Sequence, residues 1–389
     1  MKAIPYGKQF IDQDDIDAVI ETLQSDFLTQ GPKVQEFEQA FAAYVKADYG
    51  VAVSNGTAAL HLCALALGVN NRSHVITTPI TFAASANCIR YCGGMVHFVD
   101  IDPNTYLMDT KKLRALLASR PKGFFSGIIP VDFAGLANNL EEIKAIANEH
   151  GLWIIEDACH APGGYFVDAA GNKQLCGNGK FADLAIFSFH PVKHIATGEG
   201  GMITTNNKAL YEKLLLLRTH GITKNPDLLK ENHGPWYYEM QALGYNYRIP
   251  DMLCALGLSQ LKKADKGLMA RKKIAQRYNE AFSGNNHITI QSPSIQAGHA
   301  FHLYIIQTEY RAELYQYLRE ANIFAQVHYI PVHSMPYYKS MGYKKGDYPM
   351  TEKYYERCLS LPMYPTLTET EQDYVIKTIN DFLNTTNEN

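Results

Sequence analysis

Apolar positions along the chain follow two patterns. Residues 13 to 26 set Ile16, Val19, Ile20 and Leu23 at helical spacing, which predicts a helix with that stripe on its inner face. A second helix is expected after Gly31-Pro32, with Val34, Phe37 and Phe41 as its stripe. From Tyr49 onward the pattern changes. Short, almost wholly apolar runs occur at 49–54, 74–78, 95–101, 126–132, 152–157, 184–189 and 201–205. Helical stretches separate most of them, including 139–150 and 208–219. Short apolar strands alternating with helices predict an α/β fold, in which a mainly parallel, seven-stranded sheet is covered on both faces. This first domain is expected over residues 1–250. The remainder, 251–389, reads as a smaller α/β domain. It has a helical region at 251–283, strands at 299–308 and 324–330, and helices at 311–321 and 368–383.

Composition narrows the class. Of 389 residues 46% are apolar and 19% charged, which excludes a disordered chain, a coiled coil or a collagen. A net charge of −3 gives no general attraction to nucleic acid, though a local basic pocket for a small anion is compatible with it. The most apolar stretch, Ala58 to Val69, is too short to span a bilayer, so no membrane association is expected. The opening residues MKAIPYGKQFIDQDD have no apolar signal core. Seven scattered cysteines form neither a CxxC pair nor a zinc-ligand spacing, and they read as reduced thiols of a cytoplasmic protein.

Ligands of parallel α/β sheets bind at the carboxyl ends of the strands, so the residues that follow each strand carry the chemistry. After the run at 49–54 come Asn55-Gly56-Thr57 and an alanine- and leucine-rich helix; a helix start offers free N–H groups to an anion, or is simply capped by Ser54 or Asn55. After 152–156 come Asp157 and, three residues on, His160, which are acid/base candidates or parts of a salt bridge. The run at 184–189 ends near Ser188 and is followed by Lys193, then by a glycine-rich turn at Gly198-Glu199-Gly200-Gly201. A lysine held between an apolar strand and a tight turn has poor access to water, and burial lowers an amine's pKa and makes it nucleophilic. An anion cradle, a carboxylate and a poised lysine are the parts that pyridoxal 5'-phosphate needs. Neither a P-loop nor a GxGxxG fingerprint is present.

The motifs SNGTAALHL, TPITFAASAN, EDACHA, FSFHPVKHIATGEGG and LGYNYRIPD, in this order, closely resemble the DegT/DnrJ/EryC1/StrS sugar aminotransferases, a family of pyridoxal-phosphate enzymes of fold type I. The resemblance covers nearly the whole chain. It implies that Lys193 is the catalytic, Schiff-base lysine and that Asp157 pairs with the pyridine nitrogen. It also implies His160 near the ring hydroxyl, Phe82 on the ring face, and Gly56, Thr57 and Ser188 on the phosphate. Asn246 would reach the phosphate of the other protomer, in a homodimer with shared active sites. Segments such as SDFLTQGPKV and VHYIPVHSMPYY are most similar to the branch of pseudaminic acid biosynthesis. That likeness implies L-glutamate as donor, leaving 2-oxoglutarate, and UDP-2-acetamido-2,6-dideoxy-β-L-arabino-hexos-4-ulose as acceptor. Other UDP- or dTDP-linked keto-deoxy sugars are the alternative. Tyr6, Thr29, Tyr329 and His333 are the candidates for contact with the nucleotide sugar. No metal is implied.

Overall fold

The computed structural model describes residues 2–386. Its centre is a sheet of seven strands: β1 (Tyr49–Val53), β2 (His74–Thr77), β3 (Met95–Phe98), β4 (Gly127–Ile129), β5 (Trp153–Asp157), β6 (Leu184–Ser188) and β7 (Gly201–Thr205). Their order across the sheet is β1-β7-β6-β5-β4-β2-β3. All neighbours run parallel except β7, which is antiparallel to both β1 and β6. Each apolar run is buried on both faces, because helices cover the sheet front and back.

Preceding the sheet are α1 (Gln13–Leu23) and α2 (Pro32–Val45). Within it come α3 (Gly56–Ala66), α4 (Ala84–Tyr91), α5 (Thr110–Ala118), α6 (Leu140–His150) and α7 (Lys208–Arg218). Caps fix several of their starts: the side chains of Asn55, Asn139 and Asn207 accept the N–H groups of Ala58, Glu142 and Leu210. The alanine- and leucine-rich α3 is apolar nearly all round and accordingly buried, between the sheet and its helical neighbours α4 and α7.

The helical region after residue 250 is two helices, α8 (Asp251–Lys262) and α9 (Ala264–Phe282). α8 packs on α1 and α2. The later turns of α9 instead enter a second core through Ile274, Ala275, Tyr278 and Phe282, alongside α10 (Arg311–Glu320) and α11 (Glu369–Thr386). Two strands of that core, Tyr304–Gln307 and Cys358–Leu361, pair antiparallel. Ile4, at the other end of the chain, joins the same core, because Ile4–Pro5 pairs in parallel with Ile323–Phe324.

Three expectations change. The α1 stripe points outward: Ile16, Ile20 and Leu23 are exposed, while Asp15 and Thr22 are buried against the rest of the molecule. The reason is polar. Asp15 Oδ2 accepts from Gln260 Nε2 at 2.8 Å and from Lys263 Nζ at 2.6 Å, so α1 docks on α8 by a buried carboxylate instead of its apolar side. The strand expected at 324–330 stops at Phe324, and 299–308 is strand only from Tyr304. Both leave irregular segments, and these carry His302, His328 and Tyr329 to the ends of the large sheet.

Candidate active site

A cavity of about 410 Å³ lies at the carboxyl ends of β1, β5 and β6. Asn55, Gly56 and Thr57 line it from the start of α3, Thr81, Phe82 and Ser85 from the segment after β2, and Asp157, Cys159 and His160 from the end of β5. Ser188 ends β6 and Lys193 follows it, and Tyr6, His302, His328 and Tyr329 close the cavity from the second core's side.

Asp157 is the last residue of β5 and is buried. Its Oδ2 accepts the Ser85 hydroxyl at 2.6 Å, and its Oδ1 accepts the Cys159 N–H at 3.2 Å. Ser85 in turn lies 2.7 Å from Thr81 Oγ1, and since its own proton goes to Asp157 it accepts from threonine. Lys193 ends a turn in which its N–H donates to the His190 carbonyl at 2.8 Å. Burial holds its amine below the usual lysine range, partly offset by the nearby Asp157 carboxylate. Among the described residues its Nζ makes neither an ion pair nor a hydrogen bond.

His160 is oriented from both sides. The Ala134 N–H donates to Nδ1 at 3.2 Å, which leaves the proton on Nε2, facing the Tyr329 hydroxyl at 3.1 Å. Burial keeps this imidazole well below its usual pKa and so neutral, and burial likewise raises the Tyr329 phenol. Phe82 is 62% exposed, so it is a wall of the cavity and not core packing; its ring centroid stands 6.2 Å from that of Tyr329.

The start of α3 fits an anion. Asn55 caps it through Ala58, while the Gly56 and Thr57 N–H groups have no acceptor among the described residues. A Cβ on Gly56 would come within 3.0 Å of the Ser188 Cβ, so any larger residue would crowd Ser188 away from the helix start.

The remaining expected residues lie elsewhere. Thr29 and Asn246 are exposed and outside the cavity of their own chain. His333 is fully buried away from it, with Nε2 3.1 Å from Glu352 Oε1 and its ring against Tyr348. There it braces the turn after Pro331. Sequence reasoning passed over Ser85, His302 and His328. Ser85 had a local signal, three residues after Phe82 at a helix start. The two histidines had none, since only the irregular segments bring them in.

Fold and site together define a pyridoxal 5'-phosphate enzyme of fold type I, and the lysine, carboxylate and anion cradle fit that cofactor. The chain belongs to the DegT/DnrJ/EryC1/StrS aminotransferase family, whose model matches residues 9–380. It is 40% identical over 388 residues to the spore coat polysaccharide biosynthesis protein SpsC of Bacillus subtilis, covering 98% of this chain and 97% of that one. It is 37% identical over 383 residues to the UDP-4-amino-4,6-dideoxy-N-acetyl-beta-L-altrosamine transaminase of Campylobacter jejuni, covering 97% and 96%. Helicobacter pylori PseC, an aminotransferase involved in pseudaminic acid biosynthesis, superposes with a TM-score of 0.87 at 29% identity, over 98% of this chain and 99% of PseC. The protein is thus a pyridoxal-phosphate-dependent aminotransferase. No described helix is long and apolar enough to cross a membrane.

Proposed function

We propose that the enzyme moves the amino group of L-glutamate to the keto carbon of a UDP- or dTDP-linked keto-deoxy sugar, leaving 2-oxoglutarate. The observation that carries this is the convergence of Lys193, Asp157 and the Gly56–Ser188 cradle on one cavity, with Tyr6 and Tyr329 at its other wall. Bound pyridoxal phosphate supplies an aldehyde that condenses with amines and a ring that draws electrons from the bonded carbon. Gly56 and Thr57 N–H groups and the Ser188 hydroxyl would hold the phosphate. Asp157 would take the pyridine N–H and Phe82 would cover one ring face, with His160 Nε2 facing Tyr329. Lys193 Nζ takes the Cα proton of glutamate and, in the second half of the cycle, returns a proton to the sugar carbon. Asn246 serves the site of a second protomer in a homodimer. The exposed Ile16, Ile20 and Leu23 give such a dimer apolar surface to cover.

The narrower reading, amination of UDP-2-acetamido-2,6-dideoxy-β-L-arabino-hexos-4-ulose, draws on the likeness to the Campylobacter transaminase. The somewhat higher identity to the spore-coat protein keeps the acceptor sugar open to the wider class. A half-reaction separates them. The enzyme is converted to its amino form with glutamate and freed of 2-oxoglutarate. The 5-epimerised UDP-4-keto sugar, its unepimerised counterpart and a dTDP-4-keto-6-deoxyhexose are then added separately. Return of the original cofactor absorbance with any of them is the expected result; return with the epimerised sugar alone selects the narrower reading. No return with all three would sink the nucleotide-sugar assignment.

Ser85→Ala removes one of two bonds on Asp157 without opening a large cavity. We expect an intact fold and a kcat lower by about tenfold, the effect of one hydrogen bond to a charged group. Unchanged kcat would show that Ser85 contributes nothing to holding Asp157.

A further inference from the structure

Glu156 precedes Asp157 on β5, so its side chain leaves the sheet on the opposite face, away from the cavity. There it meets Asp132, from the loop after β4, and Cys176. Their carboxylate and thiol atoms lie within 4.8 Å of one another, and all three residues are buried. The hydrogen bonds leave two atoms over. Asp132 Oδ1 accepts the N–H and the side-chain Nδ2 of Asn138, both at 2.8 Å. Glu156 Oε2 accepts the Gly177 N–H at 2.9 Å. Asp132 Oδ2 and Glu156 Oε1 remain buried, with no N–H or O–H donor from any other described residue and only the weakly donating Cys176 thiol beside them. No lysine or arginine is ion-paired to either carboxyl among the described residues. Two unpaired anions so close and so deeply buried are untenable, whereas one proton between them satisfies both atoms.

We propose that Glu156 is a neutral acid that donates its proton to Asp132 Oδ2, and that this pair positions Asp157 and His160. Burial and the neighbouring Asp132 charge push the Glu156 carboxyl well above the usual carboxylate range, and burial with the two carboxyls does the same for the Cys176 thiol. The link to the cavity is the turn that begins at Asp132. The Asp132 N–H donates to the Asp157 carbonyl at 3.0 Å, and the Asp157 N–H to that of Pro130 at 2.9 Å. Two residues on, the Ala134 N–H sets the His160 tautomer. The turn has no slack: Ala134 has φ 60°, Gly135 has φ 104°, and a Cβ on Gly135 would lie 2.8 Å from the His160 carbonyl oxygen. Movement of the Asp132 side chain is therefore passed to both residues that face the cofactor.

The inference rests on Asp157 and His160 serving pyridoxal phosphate, so its test does not depend on turnover. Infrared spectra of the cofactor-free wild type near neutral pH are expected to hold a protonated-carboxyl band that is lost in Glu156→Gln. Glu156→Ala is expected to weaken cofactor binding, followed by absorbance, about tenfold. Glu156→Gln, whose amide keeps both the bond from Gly177 and the donor to Asp132, is expected to rescue it. Absence of the band in wild type, or its survival in Glu156→Gln, overturns the shared proton. So does a stoichiometric metal ion released by a chelator, which would make the three side chains a metal site. Wild-type cofactor affinity in folded Glu156→Ala overturns the positioning role. If Glu156→Ala does not fold, affinity in Glu156→Gln decides: a tenfold loss there overturns the role too. Lack of transamination in a wild type that shows the band and binds the cofactor would count against the proposed function alone.

Discussion

Replacing Lys193 with alanine is expected to lower amino transfer by at least about a thousandfold, because it removes the base that moves the proton, a contribution of roughly 10²–10⁴, together with the nucleophile that holds the cofactor. The phosphate cradle at Gly56, Thr57 and Ser188 is untouched, so pyridoxal phosphate still binds, but borohydride no longer fixes it to the chain. Activity within tenfold of wild type would remove Lys193 from the mechanism. The same residue has a signature in the cofactor-free protein. Its folded pKa lies below that of an unfolded lysine, so between those two values the unfolded chain holds more protons. Stability should therefore rise with pH across that window, and Lys193→Met should lack this rise. Equal slopes in wild type and Lys193→Met, measured by denaturant unfolding at a series of pH values, would show that the amine is not held in a depressed state.

Asp157→Asn carries the second large effect. Asparagine keeps the shape and a carbonyl to accept from Ser85, so the fold should survive. In the proposed mechanism it removes the negative charge that would face the pyridine nitrogen, and with it the stabilisation of a protonated, electron-drawing ring. Loss of a preorganised electrostatic partner of this kind costs about 10²–10³ in rate. The expected result is a kcat lower by at least about a hundredfold with the cofactor still bound. A loss confined to KM would place Asp157 in binding alone.

The mainly parallel sheet was legible because each of its strands is an apolar run too short to be a helix and helical stretches separate most of them, a pattern that needs no knowledge of distant residues. The gathering of Lys193, Asp157, Ser188 and Gly56 at one cavity was legible for a related reason: each stands at or just after the end of a strand, and a parallel sheet gathers its strand ends in one place. The outward face of α1 was not legible. Its spacing reads as an inner stripe, and only the pairing of Asp15 with Gln260 and Lys263, some 245 residues away, turns the helix over. The burial of His333 was not legible either, since its position beside a proline turn says nothing of Glu352, which holds it inside.

Sequence alone thus determined the α/β architecture and which strand-end groups gather at the candidate site, because both depend on local periodicity and on what stands next to a strand. Tertiary structure decided which side chains share a proton, which histidines reach the cavity, and which face of α1 is free. Those properties arise from contacts between segments far apart in the chain, where burial removes water and leaves each polar atom to find its partner in another part of the fold.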